Sequence, residues 1–213
     1  QGTFIVMNIG SKAKLSNNRL LTTIAYSIDG QINYALEGSA LIAGSAIEWL
    51  KDGLELFENI EDSETLALEA NEKSPIYVVP TFRGMGAPYW EPDVRGAVLG
   101  MDEHTGKREL VLATFESLAY QVNDIIDLME SDTGIELEVL HVDGGVAQNN
   151  FLIQFQADIL NKTVTRVERL ETTGLGAAYL AGLAVGYWKD LDELKALVSE
   201  SEIFQPNMTK IER

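Results

Sequence analysis

Residues 20–38 read Leu20-Leu21-Thr22-Thr23-Ile24-Ala25-Tyr26-Ser27-Ile28-Asp29-Gly30-Gln31-Ile32-Asn33-Tyr34-Ala35-Leu36-Glu37-Gly38. Two runs rich in Leu, Ile, Thr and Tyr meet at Asp29-Gly30, a pair whose tolerance of positive φ makes it a strong hairpin signal. The spacing predicts strands from Leu20 to Ser27 and from Gln31 to Glu37, paired antiparallel. Upstream, Phe4 to Asn8 is a further apolar run, set off by the turn cluster Ser16-Asn17-Asn18. Three consecutive strands therefore open the chain.

Downstream the period changes. From Ala43 to Leu56, and on to Phe57, the apolar residues Ile47, Leu50, Leu54 and Phe57 recur at helical spacing and predict a first helix. The acidic stretch from Glu58 to Lys73 reads as a surface helix or an excursion over the sheet edge. Ile76 to Val79 is a short strand stopped by Pro80, followed by the irregular loop Arg83-Gly84-Met85-Gly86-Ala87-Pro88-Tyr89-Trp90. A long helix, Lys107 to Ser131, carries the stripe Val111, Phe115, Leu118, Val122, Ile125 and Met129. The remainder alternates: strand Leu137 to Val142, helix Asn149 to Leu160, strand Thr163 to Val167, helix Thr173 to Tyr187 and a last helix from Asp190. Alternation of this kind implies parallel strands with helical crossovers. Three antiparallel strands followed by β-α units is the order of the ribonuclease-H-like, actin-like ATPase fold: an α/β class with a mixed sheet and helices on both faces.

The 213 residues are 46% hydrophobic and 23% charged, a globular composition suited to one domain spanning 1–213. A net charge of −17 disfavours nucleic acid and anionic membranes as partners. Any phosphate must then be held by local backbone N–H groups, a metal or residues from elsewhere. Cysteine is absent and no basic-then-apolar leader or long apolar span stands out, which points to a cytoplasmic, soluble protein. The chain opens at Gln1 without Met and enters an apolar run at once, so it reads as a piece cut from a longer protein.

The sharpest local feature is His141-Val142-Asp143-Gly144-Gly145-Val146-Ala147-Gln148-Asn149-Asn150, a strand that turns within a few residues into a helix. Missing Cβ atoms at Gly144 and Gly145 let a flat ring or a phosphate lie on the turn, and the helix behind offers N–H groups. The alternative is a plain tight turn whose Asn149 or Asn150 caps the helix. Ala43-Gly44-Ser45-Ala46 opens the first helix with small residues, and Gly2-Thr3-Phe4 starts the first strand with a hydroxyl and N–H groups; both suit a phosphate and both suit plain packing. Gly84-Met85-Gly86 is no dinucleotide fingerprint, because Pro88 follows and the third glycine and the helix are missing. The small residues of Thr173 to Ala184 read as packing. His104 and His141 have no partner at metal-ligand spacing, so no metal site is expected.

Taken in order, these residues resemble the C-terminal domain of glycerol kinases, within the FGGY family of carbohydrate kinases. The resemblance runs through Gly2-Thr3-Phe4, Asn33-Tyr34-Ala35-Leu36-Glu37-Gly38, Ala43-Gly44, Gly84 to Trp90, Val142 to Gly145, Asn149 to Leu152 and Leu175 to Ala184. It implies nucleotide contacts at Gly44, Glu48, Gly145 and Asn149, with Gly44 and Gly145 facing one adenosine pocket. It implies further a phosphate segment at Gly2 and Thr3, with Gln1 where a Thr belongs, and a substrate contact at Phe4. Glu48 stands where the family usually has Gln, so the amide's donor is lost there. No catalytic residue is carried over: the phosphate loop and general base of the N-terminal half are absent, as is the family's final helix. The implied whole is a kinase that uses ATP with Mg²⁺ to phosphorylate glycerol, releases ADP and forms a homo-oligomer. Another polyol or sugar as substrate, and an actin-like module that binds nucleotide for assembly, remain alternatives.

Overall fold

The computed structural model describes residues 2–168, 172–197 and 200–213, and the chain splits into two compact units, Gln1–Leu137 and Glu138–Arg213. In the first, β1 (Thr3–Gly10), β2 (Leu21–Ile28) and β3 (Gln31–Ala40) form an antiparallel sheet in the order β1-β3-β2. The hairpin lies where Asp29-Gly30 placed it. Ile28 pairs with Gln31, and Asp29 and Gly30 have φ of 51° and 77°, the two positive values that a turn matching strand twist requires.

A helix covers this sheet. After β3 come α1 (Gly44–Glu48), a π-helical turn Trp49–Gly53, α2 (Asp62–Leu68), the paired strands β4 (Tyr77–Val79) and β5 (Ala97–Leu99), and α3 (Lys107–Thr133). From its expected stripe, Val111, Phe115, Leu118, Ile125 and Met129 are buried. Where α3 crosses β3 the strand carries Gly38, and a Cβ there would stand 2.3 Å from Cγ2 of Ile125. Asp132, buried in the last turn, accepts hydrogen bonds from the Ser16 hydroxyl, from Asn17 N at 3.1 Å and from Asn18 Nδ2 at 2.9 Å. One carboxylate thus fixes the β1–β2 connection to the far end of the helix, and its burial is offset by those donors.

Glu116 of α3 is half-buried and makes stability depend on pH. Burial pushes its carboxyl up to about 7, and the Glu72 carboxylate adds to the rise. Its ordinary value near 4.5 governs the unfolded chain. Below that value both states are protonated and nothing is lost; as pH rises toward 7 the unfolded chain alone releases the proton, and above 7 the full penalty is present. Glu116→Gln is therefore expected to stabilise the chain about 1–2 kcal/mol more at pH 8 than at pH 5, after discounting for partial solvent screening. Urea unfolding at the two pH values checks this, and equal gains at both would refute it.

In the second unit, β6 (Val139–Val142) and β7 (Thr163–Val167) are parallel and joined through α4 (Asn150–Leu160), as the alternation predicts. β8 (Glu200–Phe204) then pairs antiparallel with β7. α5 (Thr172–Ala184) and α6 (Leu191–Lys195) lie between them in sequence. Asp158 of α4, also buried, accepts from the backbone N–H groups of Asn207 and Met208 and holds the C-terminal segment down.

Four expectations change. The first helix leaves α geometry at Trp49 and ends at Gly53; at Gly53 a Cβ would stand 2.7 Å from the Trp49 ring, and Glu55 has φ of 53°. α5 stops at Ala184 rather than Tyr187, with Gly186 left-handed beyond it. Among the described residues its small residues do not pack a neighbour along their length: of the helix only Gly182 is buried, beneath the Trp188 ring. Strands β5 and β8 carried no sequence signal. The α/β class stands, with hydrogen bonding among the described residues divided over sheets β1-β3-β2, β4-β5 and β6-β7-β8. Among those residues no helix is long and apolar enough to cross a membrane.

Candidate nucleotide-binding site

The turn between β6 and α4 is built in four steps. Gly144 takes φ of 86°, which bends the chain sharply as it leaves the strand and which a side chain would resist. Gly145, at φ −61°, opens a 3₁₀ turn Val146–Gln148 anchored by buried Ala147. Asn149 is extended and caps α4, its Oδ1 accepting from Leu152 N at 2.8 Å. The carboxylate of Asp143 accepts from the Thr172 hydroxyl, which ties the start of α5 to the turn.

The capping reading is realised, and the space above the glycine pair is open. Asn149 is a cap, and a Cβ added at Gly144 or Gly145 would meet nothing within 4 Å. Packing therefore does not explain both glycines: Gly144 has its φ, whereas Gly145 has a backbone any residue adopts and open space above it. The capping bond uses the oxygen of the Asn149 amide, while the donors of that group lie at its other end.

The remaining candidates lie in the first unit. Thr3 pairs with Ala40 and Phe4 with Ser39. At Gly2 a Cβ would stand 2.7 Å from the Ala40 carbonyl oxygen, so close approach to β3 is what requires glycine there. Phe4 is 69% exposed, an unusual position for a large aromatic. Gly44 begins α1 just beyond the end of β3, and Glu48, exposed, follows one turn later on the same face. The end of β3 thus gathers Gly2, Thr3, Phe4 and Gly44, whereas Gly145 and Asn149 share the turn of the second unit. Gln1 lies outside the described residues. The Gly84 to Tyr89 loop lines a small cleft with Leu41, Gln121 and Asp124, whose carboxyl is pushed up by burial and by Asp127.

Residues 1–185 match the FGGY family of carbohydrate kinases, C-terminal domain. The chain belongs to this family. Among FGGY relatives it is 57% identical over 208 residues to a glycerol kinase of Ligilactobacillus salivarius (strain UCC118), spanning 98% of this chain and 41% of that protein. It is 56% identical over 209 residues to a glycerol kinase of Streptococcus sanguinis (strain SK36), spanning 98% and 42%. The structure is similar to that of Plasmodium falciparum glycerol kinase with ADP, at a TM-score of 0.89 and 36% identity over 99% of this chain and 42% of that one. A xylulose kinase from Lactobacillus acidophilus, at 0.81 and 22% identity, shares the fold. The chain spans less than half the length of these relatives. The FGGY fold and the order of motifs were expected from sequence. Arg166 of β7, which reaches the turn, was not: a lone Arg in a strand pattern carries no signal.

Proposed function

We propose that this chain is the C-terminal, ATP-binding half of a glycerol kinase, which transfers the γ-phosphoryl of ATP to glycerol and gives sn-glycerol 3-phosphate. The observation that carries the reading is the open glycine pair between β6 and α4: the space above Gly145 suits the flat face of a nucleoside, and Asn149 stands at the mouth of α4. The similar kinase whose structure was determined with ADP supports the same ligand class. On this reading, by resemblance to the family, Gly44 and Glu48 are further nucleotide contacts, Gly2 and Thr3 approach the phosphates, and exposed Phe4 packs against the carbons of glycerol held by an N-terminal half.

Among the described residues no three His, Asp or Glu side chains lie together as a metal site. In the whole enzyme Mg²⁺ would arrive with the nucleotide phosphates. In the whole enzyme, positioning and exclusion of water by closure of two halves supply most of the rate, with subunits assembled as a homo-oligomer. The chain alone should bind a fluorescent ADP analogue saturably but weakly, with Kd on the order of 0.1–1 mM, because contacts from the other half are missing. Titration of the analogue, with displacement by ATP, tests the reading. Absence of saturable uptake would overturn the nucleotide site, and glycerol-dependent ATP consumption at the rate of a whole kinase would overturn the assignment as a half.

A further inference from the structure

Arg166 lies in the strand behind the glycine turn, with its side chain only 11% exposed. Its Nη1 donates to the carbonyl of Gln148 at 3.1 Å, and its Nη2 donates to Oδ1 of Asn150. The same Nη2 pairs with the carboxylate of Glu202 on β8, and the guanidinium carbon stands 5.2 Å from the centre of the Phe204 ring. Gln148 and Asn150 are the two neighbours of Asn149. A planar guanidinium is suited to such bridging because its donors are fixed in one plane, and an ammonium on a flexible stem cannot span two acceptors with the same geometry.

We propose that Arg166, oriented by Glu202, is a positioning residue for the nucleotide: it grips the chain on both sides of Asn149 and so sets where Asn149 and Gly145 present themselves to the ligand. The proposal rests on the nucleotide reading of this turn. Neither residue touches the nucleotide in this scheme. The alternative for a buried Arg is a contribution to stability through its charge pair alone. Lysine distinguishes the two, since it keeps a cation beside Glu202 and loses the bridge across Gln148 and Asn150.

The test measures affinity for the fluorescent ADP analogue and the thermal midpoint in parallel, on the 213-residue chain and its Arg166→Lys, Arg166→Met and Glu202→Gln variants. Arg166→Lys is expected to weaken nucleotide binding about tenfold, while its midpoint falls much less than that of Arg166→Met. Glu202→Gln keeps an acceptor for Nη2 and is expected to weaken binding roughly threefold. Should Arg166→Met fail to fold, the lysine and glutamine variants carry the test. Binding by Arg166→Lys within twofold of the parent overturns the proposal and leaves the nucleotide reading intact. A parent chain that takes up no analogue overturns the nucleotide reading itself, and the positioning role with it.

Discussion

Gly86→Ala is expected to lower the melting temperature of the chain steeply. A Cβ at residue 86 would lie 1.9 Å from the backbone oxygen of Ser39 and 3.0 Å from its carbonyl carbon. The obstacle is the main-chain carbonyl of Ser39, so no side-chain rotation relieves it. Nor is the loop free to back away. Ala87 N donates to that same Ser39 oxygen at 2.9 Å, and Met85 and Glu91 exchange backbone bonds of 2.8 and 3.1 Å. The Trp90 indole is held to the Arg19 carbonyl at 2.7 Å. Moving the loop forfeits several of these bonds, at about 3–5 kcal/mol, a large part of a typical total stability. Gly134→Ala is the useful comparison: its φ is 72° but open space surrounds the new methyl, and about 1 kcal/mol is expected. Circular-dichroism melts of both variants decide. A Gly86→Ala chain that melts close to its parent would mean the loop does not approach β3 in solution.

Gly145→Leu is expected to do the reverse, leaving stability intact and removing nucleotide binding. The residue has a right-handed helical backbone, φ −61°, and its Cβ would point into open space. No term in folding penalises the change. A leucine there fills the volume proposed for the nucleoside, and a loss of about 30-fold or more, the weight of ~2 kcal/mol, should follow. Titration of the ADP analogue against parent and variant, with melts to confirm equal stability, gives the answer. Undiminished affinity would mean that the nucleotide does not lie over this glycine.

These two glycines show what sequence could and could not tell. Both stood out as residues in Gly-rich turns, yet nothing in their flanks distinguished a glycine forced by a carbonyl from one left open to solvent. The hairpin at Asp29-Gly30 was legible because its turn geometry is set by the two residues themselves. β7 matched its expected limits because an apolar run bounded by turn residues was enough. β8 escaped because its strand character comes from pairing with β7, which lies 36 residues away between Arg166 and Glu202. The end of the first helix was missed for a related reason. Leu50 and Leu54 keep the helical period, but the chain widens into a π turn at Trp49–Gly53, where the Trp49 ring lies close over Gly53. The candidate site followed the same pattern: its motif glycines and Asn149 stood out in sequence, whereas Arg166, which bonds to Gln148 and Asn150 from the neighbouring strand, did not.

The grip of Asp132 on Ser16, a span of 116 residues, has a consequence for biosynthesis. The β1–β2 connection cannot be fastened until the last turn of α3 has left the ribosome, so the β1-β3-β2 sheet waits without the cover of that helix while the residues between Ala40 and Asp132 are made. Nascent chains arrested before residue 132 should accordingly be the ones that chaperones hold longest.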